Sequence, residues 1–299
     1  MLKRSKSPRT SPAAPPALPV SAKRFRAIIW RYYRIHGRAM PWRRTRDPYR
    51  ILVSEVMLQQ TQVARVMKFY PGFIKKFPGY RALAKASVRD VLRAWAGLGY
   101  HRRALALREL ARTVVQEHGG VLPRERAALE AFPGIGEATA GSLRAFIWNE
   151  PEIFIETNIR RVFIHFFFPG RGRVSDRAIA RRIAETLPPA RRDTREWYWA
   201  LMDYGAMLGR SKEVRNPNRR SAEYRTPAPF KGSRRELRGH ILREVLCRAS
   251  ARRKEEKRGF GLRAIARAAA RPIAEVRIAA RALAREGFID LEGDVVYSK

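Results

Sequence analysis

From Phe25 onward the apolar residues recur at helical spacing, and each run stops at a polar or turn-forming residue. Phe25, Ile28, Ile29 and Tyr32 predict a first amphipathic helix over Phe25–Ile35. Asp47-Pro48 is a strong helix start, an N-cap aspartate followed by proline at the first helical position, and it opens a helix over 49–62. Further helices are expected at 63–77, 80–86, 88–94, 102–118, 125–132, 139–148, 159–168, 178–187 and 196–207. After a polar, basic, turn-rich stretch the pattern resumes with three helices at 236–250, 262–270 and 273–286. Only then does it change period: Gly287 to Tyr297 alternates as a β-hairpin around Glu292-Gly293-Asp294. The fold class is mainly α, closing in a small winged-helix-like α+β domain. The expected division is a disordered basic tail over 1–22, a helical domain over 23–215, a linker over 216–232 and the winged-helix-like domain over 233–299.

Four stretches carry residues that this pattern does not need. Phe132-Pro133-Gly134-Ile135-Gly136 lies between two helices, with Pro133 stopping the first and Ile135 placed to plug the turn into the core. Gly134 and Gly136 permit positive φ and leave room for a close neighbour, so N–H groups opening the second helix can point at a phosphate. An ordinary helical hairpin turn is the alternative. Glu55 sits among Ile, Leu, Val and Met and shares a helix face with Gln59 at i,i+4, where a solvated stripe would be the plainer reading. Ala96-Gly97-Leu98-Gly99-Tyr100 is a glycine-bracketed loop that would present Leu98 and Tyr100 as a wedge beside a displaced base. Glu156-Thr157-Asn158 precedes a helix at N-cap distance, and capping alone could explain it.

Charge sharpens this reading. The 299 residues carry 63 basic against 27 acidic side chains, a formal net charge of +36 that points to a polyanionic partner. Nucleic acid is favoured over a membrane surface, because the sequence has neither a long apolar span nor a lysine-rich amphipathic anchor. The chain has one cysteine, Cys247, so it cannot build a disulfide, a Cys-based zinc site or a complete iron–sulfur site. The five histidines show no zinc-ligand spacing, and neither metal nor cofactor is expected. In the last helix Arg277, Arg281 and Arg285 would lie on or in a DNA groove, unless the domain is a protein-interaction or structural cap.

Taken in order, Pro41-Trp42-Arg43, Ser54-Glu55-Val56-Met57-Leu58-Gln59-Gln60-Thr61-Gln62-Val63, Gly97-Leu98-Gly99-Tyr100 and Pro133-Gly134-Ile135-Gly136 make residues 23–215 resemble the MutY family. These are adenine DNA glycosylases within the helix-hairpin-helix (HhH-GPD) superfamily. The resemblance implies that Glu55 protonates the ring nitrogen of adenine and then helps activate water. It implies that Glu156 faces the positive sugar as the glycosidic bond breaks and that Asn158 orients the acid. The family sequence there is Asp-Gly-Asn, so Glu156 is one methylene longer and the glycine is replaced by Thr157. Ala138 stands where bifunctional relatives keep a Schiff-base lysine, which implies no lyase activity. Gln60, Leu98 and Tyr100 would fill the space of the flipped base, and Arg38 and Arg43 would line the pocket entrance or hold phosphates. Gln59, Gly134, Ile135, Gly136 and Thr139 complete the expected DNA-binding set.

The resemblance also has gaps. Four cysteines that hold an iron–sulfur cluster in the family fall near Gly209, Asn216, Arg219 and Arg225, and the winged-helix-like domain takes the place of a Nudix-like domain that recognises 8-oxoguanine. The expected function is therefore a monofunctional, cluster-free glycosylase of base excision repair, acting as a monomer on double-stranded DNA with a mismatch or lesion. Its best base is adenine, opposite guanine or 8-oxoguanine, and its place is the bacterial nucleoid, or a nucleus or organelle in a eukaryote. Two alternatives remain: a catalytically silent protein that recognises lesions or DNA architecture, and a regulator whose winged helix reads sequence.

Overall fold

The structure is a computed structural model that describes residues 20–170, 172–190, 193–226, 229–248 and 259–299. The expected basic tail lies outside the described residues as far as position 19. The first part of the chain forms helices α1 (Ala22–His36), α2 (Pro48–Leu58), α3 (Val63–Lys76), α4 (Tyr80–Lys85), α5 (Val88–Trp95) and α6 (Arg102–Glu117). There follow α7 (Arg126–Glu130), α8 (Glu137–Trp148), α9 (Thr157–Phe167), α10 (Asp176–Thr186) and α11 (Thr194–Arg210). Last come α12 (Arg234–Arg248), β1 (Phe260–Gly261), α13 (Leu262–Ala269), α14 (Ile273–Arg285), β2 (Ile289–Glu292) and β3 (Val295–Ser298). Among the described residues no helix is long and apolar enough to cross a membrane.

By contacts the chain divides into two units, one of residues up to Gly37 with 155–224, the other of 38–154 with 225–299. In the first unit α1 joins helices far away in sequence through an aromatic cluster. Phe25, fully buried, meets Phe163, Phe166, Phe167 and Trp197 with ring centroids 4.9–5.7 Å apart. Offset and edge-on aromatic pairs of this kind add to the area they bury. Helices α9 and α11 approach closely because α11 carries Gly205, where a Cβ would stand 2.2 Å from the Asn158 carbonyl oxygen.

The stretch expected to be a linker from 216 begins with built structure. Asn216 caps a 3-10 turn at Pro217–Arg220, Asn218 is buried and donates to the Thr157 carbonyl at 2.9 Å, and Val174 and Ser221 form a β-bridge. Arg161 reaches Asn216 Oδ1 at 3.2 Å, and Arg220 donates to the Ile164 carbonyl at 3.0 Å. The places where relatives hold an iron–sulfur cluster are thus filled by Gly209, Asn216, Arg219 and Arg225, a set with no thiolate. This donor set does not fit the cluster, and amide and guanidinium hydrogen bonds tie the segment down instead.

In the second unit the C-terminal residues form three helices and a sheet of order β1-β3-β2, antiparallel throughout, with Leu291 opposite Val296 and Phe260 opposite the same Val296. Strand β1 has only two residues, too few to show alternation in the sequence. Arg277, expected to reach DNA, pairs with Asp294 on the hairpin (Nε to Oδ1, 2.8 Å), whereas Arg281 and Arg285 are exposed. The domain leans on the loop before α6. Glu286, just after α14, accepts from Arg238 at 2.6 Å and 2.8 Å and from Arg102 at 2.7 Å. Arg235 lies 3.3 Å from the Tyr100 hydroxyl. His101 is half-buried beside Tyr100 and Arg102, and its desolvation together with Arg238, Arg103 and Arg243 pushes its pKa down to about 4.

Two expected outcomes follow from this packing. Gly205→Ala forces α9 away from α11 and should lower stability by about 2 kcal/mol in urea unfolding, the usual scale of overpacking. The two arginines hold the Glu286 carboxyl down at about 2, so its contribution is complete above the ordinary carboxylate range and is lost as pH falls toward 2. Acid titration of thermal stability should show that loss in the wild type and lack it in Glu286→Gln.

Candidate active site

Helix α2 is the buried axis of residues 38–154. Asp47 caps it by accepting from Tyr49 N at 2.9 Å, and Tyr49, Ile51, Leu52, Val53, Ser54, Val56 and Met57 are all buried. The face bearing Glu55 and Gln59 meets α8. Ser142 Oγ donates to Glu55 Oε2 at 2.7 Å, and Gln59 Nε2 donates to the Gly134 carbonyl at 3.0 Å and to Thr139 Oγ1 at 3.2 Å. An i,i+4 pair on one helix thus fits an i,i+3 pair, Thr139 and Ser142, on the other. This is a polar seam in which Glu55 and Gln59 are half-buried and hydrogen-bonded across to α8 rather than simply facing solvent. Ser142, only 4% exposed, went unnoticed in the sequence, where it looks like another small residue of an apolar helix.

The hairpin between α7 and α8 matches its expected design in one glycine of two. Gly134 takes φ +81°, and a Cβ there would press on Ala106 at 3.2 Å. Gly136, by contrast, caps α8 with φ −99°, so it needs no left-handed backbone; what it provides is open space, since a Cβ would meet nothing within 4 Å. Ile135 is buried as expected, while Pro133, Gly134, Gly136, Glu137 and Ala138 are exposed. The first amides of α8, which lack intrahelical acceptors, begin at this open corner.

The loop before α6 corrects the sequence reading of Leu98. Leu98 is 2% exposed and points into the core, whereas Tyr100 is 43% exposed. Gly97 and Gly99 take positive φ, which turns the residue between them inward and Tyr100 outward. Tyr100 has φ +49° and Gln60, also exposed, has φ +53°. Such values are uncommon for residues with a Cβ and must be held in place by their surroundings.

Arg103 supplies that hold. One guanidinium nitrogen donates to the carbonyls of Val56 (2.9 Å), Met57 (3.0 Å) and Gln59, and the other to Thr61 Oγ1 at 2.9 Å and Gly99 O at 3.2 Å. The same group lies 5.2 Å from the centroid of the Tyr100 ring and 5.5 Å from that of Trp95. Burial lowers its pKa to about 10, so it stays charged at neutral pH. Arg103 explains why α2 ends at Leu58 rather than running to 62: it takes the last carbonyls of the helix. Arg43, in a 3-10 turn beside buried Trp42, donates to the Arg38 carbonyl at 3.1 Å.

In the other unit Glu156 is the N-cap of α9. Its carboxylate accepts from Asn158 N at 2.7 Å and Ile159 N at 2.8 Å, so capping is its observed local role. Asn158 Nδ2 donates to Glu156 Oε2 at 3.2 Å, while Asn158 Oδ1 accepts from Arg161 at 2.8 Å, which fixes the amide orientation. Arg161 also binds the Gly205 carbonyl at 2.6 Å. Burial pushes the Glu156 carboxyl up, against the two amides and Arg161, which pull it down.

Residues 53–189 match the HhH-GPD superfamily of base excision DNA repair proteins. This segment belongs to that superfamily. The chain is 39% identical over 184 residues to the adenine DNA glycosylase of Mycobacterium tuberculosis, covering 60% of each protein. It is 41% identical over 147 residues to the human adenine DNA glycosylase, which amounts to 46% of this chain and 27% of the relative. The chain thus spans about three-fifths of the mycobacterial relative's length and about a quarter of the human one. Among solved structures it resembles a thermostable thymine-DNA glycosylase, with TM-score 0.56 and 26% identity over 64% of this chain and 89% of that one. A non-covalent endonuclease III–DNA complex shares the fold at TM-score 0.55 and 18% identity, over 66% of this chain and 91% of that one.

Because Arg103 organises both turns, Arg103→Met should lower stability by about 2 kcal/mol, the scale of losing hydrogen bonds to a charged group. Amide exchange should quicken at residues 59–61 and 99–100 more than elsewhere in the HhH-GPD segment.

Proposed function

We propose that this chain is a monofunctional DNA glycosylase of base excision repair that hydrolyses the N-glycosidic bond of a flipped adenine, mispaired with guanine or 8-oxoguanine. The observation that carries the reading is Glu55, the one carboxyl on a largely buried helix, bonded to Ser142 in the segment similar to adenine DNA glycosylases. In this reading Glu55 gives its proton to a ring nitrogen of adenine, and the bond from C1′ to the base breaks with its electron pair leaving on the neutral base. Water then adds to C1′ and returns a proton to Glu55, so the residue acts first as acid and then as base. The resemblance gives Glu156 the developing positive charge on the sugar and Asn158 the orientation of the acid. Ala138 offers no amine, so the product is an intact strand with an abasic site.

DNA binding in this proposal rests on the net charge of +36 and on the exposed corner of Gly134 and Gly136 at the start of α8. Gln60 and Tyr100 are the exposed residues suited to the gap left by the base; Leu98, buried, is not. Gln59 and Thr139 act through the hairpin they hold, and Arg38 and Arg43 at the strand backbone. Residues 23–215 carry the glycosylase domain and 233–299 the winged-helix-like one, and the protein works as a monomer without metal or cofactor.

The second reading, a catalytically silent DNA-binding protein, is favoured by one observation, the longer Glu156 engaged as a helix cap. A panel of duplexes with each mismatch, 8-oxoguanine, uracil and hypoxanthine, followed by alkali, separates the two. Thymine opposite guanine belongs in it because of the structural likeness to a thymine-DNA glycosylase. Glu55→Gln should slow single-turnover adenine release at least about 100-fold and leave duplex affinity within about twofold. An unchanged rate removes Glu55 as the acid, and no abasic product on any duplex supports the silent reading.

A further inference from the structure

Resting on the reading of Glu55 as acid and then base, we propose that Ser142 is a positioning residue that serves Glu55 in both protonation states by turning one hydroxyl proton between two acceptors. Ser142 Oγ lies 2.7 Å from Glu55 Oε2 and 3.0 Å from the Thr139 carbonyl. A hydroxyl has one proton and two lone pairs, so it cannot donate fully to both, but it can donate to the Thr139 carbonyl while accepting from a protonated Glu55.

With Glu55 ionised, the Ser142 proton points at the carboxylate. With Glu55 protonated, the carboxyl O–H donates to Ser142 Oγ and the serine proton swings to the Thr139 carbonyl. Both states keep Glu55 Oε2 hydrogen-bonded at the same place, and the exchange needs only rotation of a C–O bond. A serine within a helix commonly bonds the carbonyl three or four residues back, which accounts for the Thr139 contact alone. The Glu55 contact is the part that local habit does not explain. At 4% exposure, Ser142 is also poorly placed for bulk water to do its work.

Several charged and titratable groups on the elements packed against α2 are bonded elsewhere. Arg103 on α6 binds the carbonyls at the end of α2, Tyr70 on α3 donates to the Arg50 carbonyl, and Arg43 donates to the Arg38 carbonyl. On α8 itself, Arg144 pairs with Glu152 and Glu137 with Arg126. Ser142 is a neutral partner, and that is what allows it to serve the acid in either charge state.

The test compares the wild type with Ser142→Ala and Ser142→Thr in the full chain, labelled with carboxyl-13C glutamate. The Glu55 resonance is assigned by its loss in Glu55→Gln, and thermal melting confirms that each variant is folded. A donor to an ionised group is worth more than an acceptor to a neutral one, so Ser142→Ala should move the Glu55 titration about one pH unit upward. Ser142→Thr should restore it. In single turnover, Ser142→Ala should carry base release to higher pH on its alkaline limb and lower the maximal rate about tenfold, with duplex affinity within about twofold. Glu55 titrations that superimpose in the wild type and Ser142→Ala overturn the proposal. So does a shift that appears equally in Ser142→Thr, because the hydroxyl is then not its cause. If the wild type releases no base from any duplex, the function proposed above fails, yet the carboxyl titration still judges Ser142 by itself.

Discussion

One guanidinium sets the geometry of the end of α2 and of the loop before α6. Arg103 closes the end of α2, fixes the Gln60 turn and holds the Gly99 carbonyl, so two exposed residues with positive φ depend on one cation. Neither turn has the glycine that would make its shape inexpensive at residue 60 or 100. The strain is offset because burial makes each Arg103 bond stronger, and because a planar five-donor group can face carbonyls on two segments at once. A lysine offers no such fork. The price of this arrangement is a cation that must be desolvated, which is why its pKa falls.

The sequence made much of this legible, and the reasons differ from element to element. Helix positions followed from apolar periodicity, and the start of α2 from Asp47-Pro48, because these signals are local. The end of α2 was not legible: the glutamines at 59, 60 and 62 are good helix formers, and what takes the last carbonyls is an arginine more than forty residues later. The inward side chain of Leu98 is hidden in the sequence for a related reason. Two flanking glycines show that a loop turns sharply, but which side chain then faces the core depends on their φ values, and these turn Leu98 inward.

The candidate site residues divide in the same way. Glu55, Gln59, Glu156 and Asn158 stood out because their polarity conflicts with their surroundings or matches a known motif. Ser142 and Arg161 did not, since a small residue in a small-residue helix and an arginine in an arginine-rich chain carry no contrast. Their roles exist only across the α2–α8 seam and along the Glu156–Asn158–Arg161 chain. A facing pattern, i,i+4 polar residues on one helix against i,i+3 on another, is the signal that could have found Ser142. Gly136 shows the reverse case: its surroundings are open, as its place in the motif suggests, but its backbone is not left-handed.

The Arg102–Glu286–Arg238 bridge makes the C-terminal domain a part of the loop it touches. A domain joined only by a tether could be exchanged freely among relatives, with no effect on the helices before it. Here the exchange has a chemical requirement. Whatever occupies that position must offer Arg102 a carboxylate, cover His101 well enough to keep it uncharged, and meet the hydroxyl of Tyr100. The two parts therefore meet at three consecutive residues, Tyr100, His101 and Arg102, and a chimera that ignores them would leave these side chains without the neighbours they have here.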